Sequence, residues 1–211
     1  MIVQEKDNHG ISVVHIGGAG NGLNQLIGPY GIELDKITNT LYIADYNNNR
    51  IMAYPKNAIN GTVAFGGQGP GINRTQLWAP VGIYLDYVSN SLLIANHEAD
   101  NVVRWTRTEQ QWTLMAGDIN GVENSTSTTF YRVTDMIFDP MGNMYVADRN
   151  NQRIQLFMSG EYVGKTIAGV TGVFGTNASL FNRPWCVKLD SQLNLYVADA
   201  NNHRIQKFLR Y

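Results

Sequence analysis

Aspartate and arginine residues recur at one fixed spacing along this 211-residue chain. Each aspartate closes a run of apolar residues, and an arginine follows at the same interval: Asp45 with Arg50, Asp148 with Arg153, and Asp199 with Arg204. A carboxylate can act as a general acid or base, and an arginine can hold an anion. A catalytic group repeated in this way would be unusual, whereas a bracing ion pair suits repetition. The spacing therefore predicts structural ion pairs.

A further copy of the segment carries neither charge. Asn96 stands at the aspartate position and Asn101 at the arginine position, so both partners are replaced together. Joint replacement is expected for a mutual ion pair, because one charge left buried without its partner costs about 3–5 kcal/mol.

The same uncharged copy brings potential metal ligands close together, at His97, Glu98 and Asp100. A histidine and carboxylates on one turn could contribute to a metal site. No second ligand-rich loop lies nearby in the repeat, so a solvated polar turn is the simpler interpretation. We therefore predict no cofactor, and these residues are weak candidates for metal ligands.

These segments belong to a longer unit that recurs with a period near 50 residues, which is typical of repeat architectures. The period covers 28–78, 79–131 and 132–182, with partial copies at 1–27 and 183–211. Each full period contains pieces that read as strands; in the third period they are 133–139, 144–147, 153–157 and 165–169.

The burial pattern indicates how these strands pack. Met144 to Ala147 are all apolar, so both faces of that strand are covered. Ile154 and Phe157 point to opposite faces of the next strand. A small antiparallel sheet buried on both faces needs a neighbour on each side, and radial stacking of four-stranded blades supplies it. The sequence therefore predicts one all-β domain over residues 1–211, a β-propeller.

The repeat resembles that of the NHL-repeat β-propeller family, which reads roughly P-x-G-I-x-L-D and then L-Y-V-A-D-x-x-N-x-R-I-x-x-F. Residues 29–35 and 80–86 match the first part, and 41–54 and 195–208 match the second. The resemblance implies antiparallel blades of four strands. Propellers of this family commonly have six blades, and this chain carries about four repeats.

The beginning of the chain leaves two arrangements open. Residues 11–18 resemble a fourth strand, which could complete the last blade and close a four-bladed ring. Residues 1–6 resemble a third strand, which closure would not need. That surplus favours a piece of a larger propeller. An open propeller could also associate through its edges.

Composition limits the function. The net charge is −1 and the pI about 6.4, so no global field attracts nucleic acid or an anionic membrane. No apolar run approaches the ~20 residues of a membrane span. No catalytic triad, nucleotide loop or basic stripe stands out against the repeat. We expect a non-catalytic binding or scaffold module, in which loops on one propeller face engage a protein or another ligand.

The resemblance also implies two alternative functions. Some similar propellers are metal-dependent enzymes, notably peptidylamidoglycolate lyases, which hold the metal with histidines at the channel mouth. The histidines of this chain occupy unrelated repeat positions: His9, His15, His97 and His203. Other relatives bind single-stranded RNA through a basic face with stacking aromatics. Arg104, Trp105 and Arg107 form a small group of this kind, but charges otherwise balance, so nucleic acid is not expected.

Four N-glycosylation sequons are present, at Asn60, Asn73, Asn124 and Asn177. The last three fall at nearly the same place in the repeat, which predicts glycans on one rim. This favours an extracellular or lumenal setting, although residues 1–10 are too polar for a signal peptide. The single cysteine, Cys186, excludes an internal disulfide and is predicted to be a buried, inert thiol.

Overall fold

A computed structural model describes residues 18–109 and 111–210, and the described chain is built almost entirely of antiparallel β-strands. The strands of the first two repeats are β1 Pro29–Asp35, β2 Thr40–Asp45, β3 Arg50–Tyr54, β4 Thr62–Gly66, β5 Pro80–Asp86, β6 Ser91–Asn96, β7 Asn101–Thr106 and β8 Thr113–Gly117. Those of the last two are β9 Val133–Phe138, β10 Met144–Asp148, β11 Arg153–Phe157, β12 Lys165–Gly169, β13 Pro184–Leu189, β14 Leu195–Asp199 and β15 Arg204–Phe208.

Each repeat forms one blade, as the sequence predicts. Sheets β1–β4, β5–β8 and β9–β12 have four strands in chain order, and β13–β15 form a three-stranded sheet. The first strands of successive blades contact each other and therefore line the central axis. The predicted strands at 1–6 and 11–17 lie outside the described residues. The predicted all-β propeller is confirmed.

The core lies between blades. One apolar cluster joins blades 1 and 2, a second joins blades 2 and 3, and a third joins blades 3 and 4. Leu92, Leu93 and Ile94 of β6 are fully buried, because alternate side chains enter the clusters on either side of the blade. Inner strands are therefore apolar at consecutive positions.

The outward faces of the first and last blades differ from their equivalents inside the arc. Ile32 is 65% exposed in blade 1, whereas Ile83 at the same position of blade 2 is 7% exposed. Ile205 of blade 4 is 67% exposed, whereas Ile154 of blade 3 is fully buried. Blades 1 and 4 therefore do not bury these positions against each other, which does not favour the closed four-bladed ring.

A bulge interrupts the pairing near the start of the first strand in every blade. A bulge bends its strand and redirects the side chains beside it. In blade 2 it includes Gly82, where a Cβ atom would lie 2.7 Å from the carbonyl oxygen of Thr134 in the neighbouring blade. Glycine permits this close approach of two backbones. The bulges set the direction of the side chains at one end of the axis, described next.

Candidate ligand-binding site at one mouth of the central channel

The turn between the second and third strands places the predicted ion pairs opposite each other across the hairpin. The Arg50 Nε lies 2.7 Å from the Asp45 Oδ2. The corresponding distance is 2.8 Å for Arg153 with Asp148 and for Arg204 with Asp199. The three aspartate side chains are fully buried. We call each pair a brace.

Each brace also fastens the loop that enters its blade. In blade 3, the Arg153 guanidinium donates to the carbonyl oxygens of Ser125, Thr126 and Thr129 at 3.0, 2.6 and 3.1 Å. The other Asp148 oxygen accepts the backbone N–H of Tyr131 at 2.8 Å. Burial is the largest influence on the pKa of Asp148 and raises it, and the hydrogen bonds and Arg153 oppose this. The brace therefore replaces lost hydration with direct bonds.

In blade 2, uncharged hydrogen bonds replace the brace and fasten the entering loop. The Asn96 Oδ1 accepts the Trp78 N–H at 2.5 Å, and the Asn96 amide donates to Asn101 at 3.3 Å. The entering loop is held by Trp112, which is fully buried, and its Nε1 donates to the carbonyl oxygens of Asn73 and Gln76 at 3.1 and 2.9 Å. In blades 1, 3 and 4 an arginine Nη2 bonds the carbonyls at these loop positions.

The residue after each brace aspartate, or after Asn96, stands at the mouth of the channel. Four rings from three blades form a continuous circuit there, with centroid distances of 5.1 Å for Tyr30 to Tyr46, 6.2 Å for Tyr46 to His97, 6.4 Å for His97 to Trp185, and 5.8 Å for Trp185 to Tyr30. Blade 3 adds Arg149, whose guanidinium carbon lies 5.1 Å from the Trp185 centroid. These five residues are the mouth cluster.

Tyr30 and Trp185 belong to the first and last of the four blades, so their contact crosses the mouth. Tyr30 is 51% exposed, and Tyr46, Arg149 and Trp185 are half-buried. The mouth cluster is thus a partly solvated aromatic surface beside the cation of Arg149. Aromatic rings and a charged group placed together in this way can bind a ligand.

His97 is the buried member of the mouth cluster. Its Nδ1 lies 2.8 Å from the carbonyl oxygen of Val133, which can only accept, so this nitrogen carries the proton. The pKa of His97 is lowered to about 4, mainly by burial and also by the charges of Arg132 and Arg149, and the hydrogen bond to Val133 opposes this. The imidazole is therefore neutral at pH 7. Its Nε2 has no hydrogen-bond partner in the described chain and can accept one from a ligand.

The weak metal candidates do not share a site. His97 bonds the Val133 carbonyl, Glu98 forms an ion pair with Arg132, and Asp100 accepts the Arg132 backbone N–H. Among residues 18–109 and 111–210, no group of three or more histidine, cysteine, aspartate or glutamate side chains could hold a metal ion. Each candidate therefore has its own protein partner.

Asp100 belongs to a series of contacts between neighbouring blades. The last residue of each turn has a positive φ, and in blades 1 to 3 it sends a side-chain oxygen to the next blade. Asn49 accepts the Ala79 N–H at 2.9 Å, and Gln152 accepts that of Arg183 at 2.6 Å. Asp100 occupies the same position in blade 2. The pKa of Asp100 is raised to about 7, mainly by burial and also by Glu123 and Asp148, and the hydrogen bond from Arg132 opposes this rise.

Below the mouth, a carboxylate and the thiol face each other. Asp135 is buried, accepts the Val187 N–H at 3.0 Å, and has a raised pKa because of burial. Burial, followed by Asp135, raises the pKa of the half-buried Cys186 thiol to about 12. Cys186 stays protonated and is a poor nucleophile.

The group considered for RNA binding is not a stacking surface. Trp105 is buried and donates its Nε1–H to the Glu109 carbonyl at 3.0 Å. Arg107 lies 2.9 Å from Asp35, and Arg104 lies 3.8 Å from Asp86. Trp105 is packed between blades 1 and 2, so this group has no exposed aromatic surface. The sequon residues Asn60, Asn73, Asn124 and Asn177 are all exposed.

Sequence reasoning singled out His97 but missed its ring partners. Tyr30 and Trp185 share one repeat position that holds Val81 and Thr134 in the middle blades. An aromatic residue at a position that varies from blade to blade was the available signal. It could not show that opposite blades approach closely enough for the rings to meet.

The architecture defines a β-propeller, and residues 181–208 match the model of the NHL repeat. The other blades have the same order of strands and turns, and blades 1 and 3 also have the brace. The chain therefore contains an NHL repeat at residues 181–208, and its other blades are similar to that repeat.

Solved structures show the same fold at low identity. A structural genomics protein of unknown function from Bacteroides thetaiotaomicron is 17% identical with a TM-score of 0.69, covering 85% of this chain and 46% of its own. An auxiliary nutrient binding protein from the same organism is 18% identical, with a TM-score of 0.66 and coverages of 84% and 46%. A gluconolactonase from Xanthomonas campestris is 14% identical, with a TM-score of 0.67 and coverages of 89% and 60%.

The chain spans about half the length of the solved structures it matches. No curated protein matches the sequence. In the part of the chain that the structure describes, no helix has the length and apolar character needed to cross a membrane.

Proposed function

We propose that this propeller is a non-catalytic binding module and that its ligand occupies the mouth cluster. The circuit of partly solvated rings at one end of the axis is the observation that supports this most directly. Aromatic side chains supply large contact areas at a low cost in conformational entropy. A solved neighbour described as a nutrient binding protein is consistent with a binding role.

The proposal separates rings that stabilise the fold from rings available to a ligand. Trp105 and Trp112 are buried between strands and donate hydrogen bonds to backbone carbonyls. Trp185 packs instead against Tyr30, His97 and Arg149, which come from three other blades. A ligand that stacks on Trp185 would thus touch a surface assembled by the whole arc.

A fragment screen by ligand-observed NMR tests the proposal. We expect a subset of small ligands to bind the parent protein and to lose at least tenfold in affinity in Trp185→Ala. Tyr162→Ala is the matched control, because Tyr162 is an exposed aromatic residue in the loop between β11 and β12. Equal losses in both variants, or no loss in Trp185→Ala, would remove the mouth cluster as the binding site.

A metal-dependent enzyme is the second candidate, because solved neighbours include a gluconolactonase and a streptogramin B lyase. Such chemistry needs a metal held by convergent ligands or a positioned acid and base. Elemental analysis of the purified protein distinguishes the two functions. Stoichiometric zinc or calcium that survives dialysis would favour the enzyme and contradict the non-catalytic proposal.

A further inference from the structure

Two further arginines, Arg132 and Arg183, lie near Arg149 of the mouth cluster and add positive charge beside it. Arg132 forms an ion pair with Glu98, but Arg149 and Arg183 have no carboxylate within ion-pair distance among the described residues. Burial is the main cause that lowers the pKa of Arg149, followed by the nearby Arg183 and Arg132. Of these three guanidinium groups, only that of Arg132 has a carboxylate within ion-pair distance in the described chain.

This imbalance of charge is unfavourable for the free energy of the protein. A half-buried cation has lost part of its hydration, and two neighbours of the same sign add repulsion. Arg149 contacts the face of Trp185 and donates to the Asn150 side chain at 3.0 Å, and neither contact supplies a negative charge. An anion bound at this point would offset both costs.

The aromatic surface lies directly beside the cation. The rings of Tyr30 and Trp185 are tilted by 36° with centroids 5.8 Å apart, so they present adjoining faces at the mouth. Arg149 stands over the same Trp185 ring. A ligand whose flat body rests on these rings would bring an attached anionic group within reach of the guanidinium.

We propose that the mouth cluster takes a small ligand that carries a carboxylate or phosphate group on a flat, apolar body. Arg149 holds the anionic group, because guanidinium binds carboxylates and phosphates in a bidentate manner. The positive charge of the nearby Arg183 adds to the attraction. Tyr30 and Trp185 contact the body, and the Nε2 of neutral His97 accepts a hydrogen bond from it. This inference rests on the proposed function and adds the ligand class.

Isothermal titration calorimetry with defined probes tests the charge requirement. We expect phenyl phosphate or benzoate to bind, and the stronger of the two identifies the preferred anionic group. Neutral phenyl β-glucoside should bind at least tenfold more weakly. Inorganic phosphate should also bind at least tenfold more weakly than phenyl phosphate, because it lacks the flat body. Affinity should fall as salt is raised from 50 to 200 mM.

Matched arginine variants complete the test. Arg149→Met should weaken the anionic probe at least tenfold and leave phenyl β-glucoside within twofold of its parent affinity. Arg74→Met is the control, because Arg74 is exposed on the loop between β4 and β5, and it should change neither probe.

Phenyl β-glucoside binding as tightly as the anions would overturn the ligand class while leaving the binding site intact. Binding of neither anion at 10 mM would also overturn it, and the fragment screen would then decide the proposed function independently. Equal losses in Arg149→Met and Arg74→Met would show that the anion is attracted by general surface charge.

Discussion

Asp148 is fully buried and accepts hydrogen bonds from Tyr131, Asn151 and Arg153, whereas Arg149, the next residue, has no carboxylate partner in the described chain. The brace satisfies a buried charge within the protein. The mouth cluster leaves the half-buried Arg149 without a carboxylate partner among the described residues. In this turn, Asp148 therefore stabilises the fold, whereas the residue type at the next position, Arg149, is not fixed by the fold.

The repeat shows this division in every blade. The brace position holds Asp45, Asn96, Asp148 and Asp199, all hydrogen-bonded within their own blades. The adjacent position holds Tyr46, His97, Arg149 and Ala200, which differ in size and charge. The repeated position stabilises the fold, and under the proposed function the variable position beside it determines which ligand binds.

The largest effect is expected from breaking a brace. Arg153→Met leaves Asp148 buried without its charged partner and frees three loop carbonyls, so we expect a loss of about 3–5 kcal/mol in the free energy of unfolding. Urea denaturation measures the loss. In an Asp148→Asn background the same substitution should cost at least about 1 kcal/mol less, because no buried carboxylate is stranded. Strictly additive losses would mean that the two residues do not act as a pair.

A smaller loss is expected where tryptophan replaces the arginine. Trp112→Phe keeps most of the buried ring but removes the donor to the Asn73 and Gln76 carbonyls, which should cost about 1–3 kcal/mol. Trp105→Phe is the control, since it removes a single bond to Glu109, which lies on the exposed surface. If both variants lost the same stability, Trp112 would not hold the loop through its N–H.

A third prediction concerns pH. The pKa of Asp100 is about 7 in the folded state, against 3.8 in the unfolded chain, so its stabilising contribution is full below about pH 4. That contribution is lost as the pH rises through 7. The variant Asp100→Asn would keep an oxygen acceptor at this position, as Asn49 does in blade 1. We therefore expect Asp100→Asn to gain stability relative to the parent between pH 5 and 8.5, by about 1–2 kcal/mol.

Chemical denaturation at several pH values measures this difference. Subtracting the two pH profiles removes the titration of other buried carboxylates, including Asp148 and Asp135, whose pKa values are also raised by burial. A constant difference across this range would contradict a raised pKa at Asp100.

Sequence alone predicts much of the framework. Three features depend only on local geometry and are therefore visible in a repeated pattern. They are the period near 50 residues, the consecutive apolar positions of β10 and the spacing of Asp148 and Arg153. The NHL resemblance adds the blade architecture. These features carry through to the strands and sheets of the structure.

The remaining features depend on distances between repeats, which no periodic pattern contains. Trp112 bonds the loop carbonyls that an arginine bonds in the other blades, but it lies just before β8 and not at the start of the third strand, so alignment of the repeats does not reveal it. Tyr30 and Trp185 meet across the mouth because of the curvature of the arc. The sequence indicates His97 as a potential ligand, whereas its burial and its pKa of about 4 follow from packing.

The free energy of unfolding of Arg149→Met, measured beside Arg153→Met in the absence of ligand, tests the separation of the two positions most directly. Arg149 has no charged partner to lose, so we expect this variant to remain within about 0.5 kcal/mol of the parent or to be more stable. Arg153→Met should lose about 3–5 kcal/mol. Comparable losses at both positions would show that the mouth cluster stabilises the fold and would contradict its reservation for a ligand.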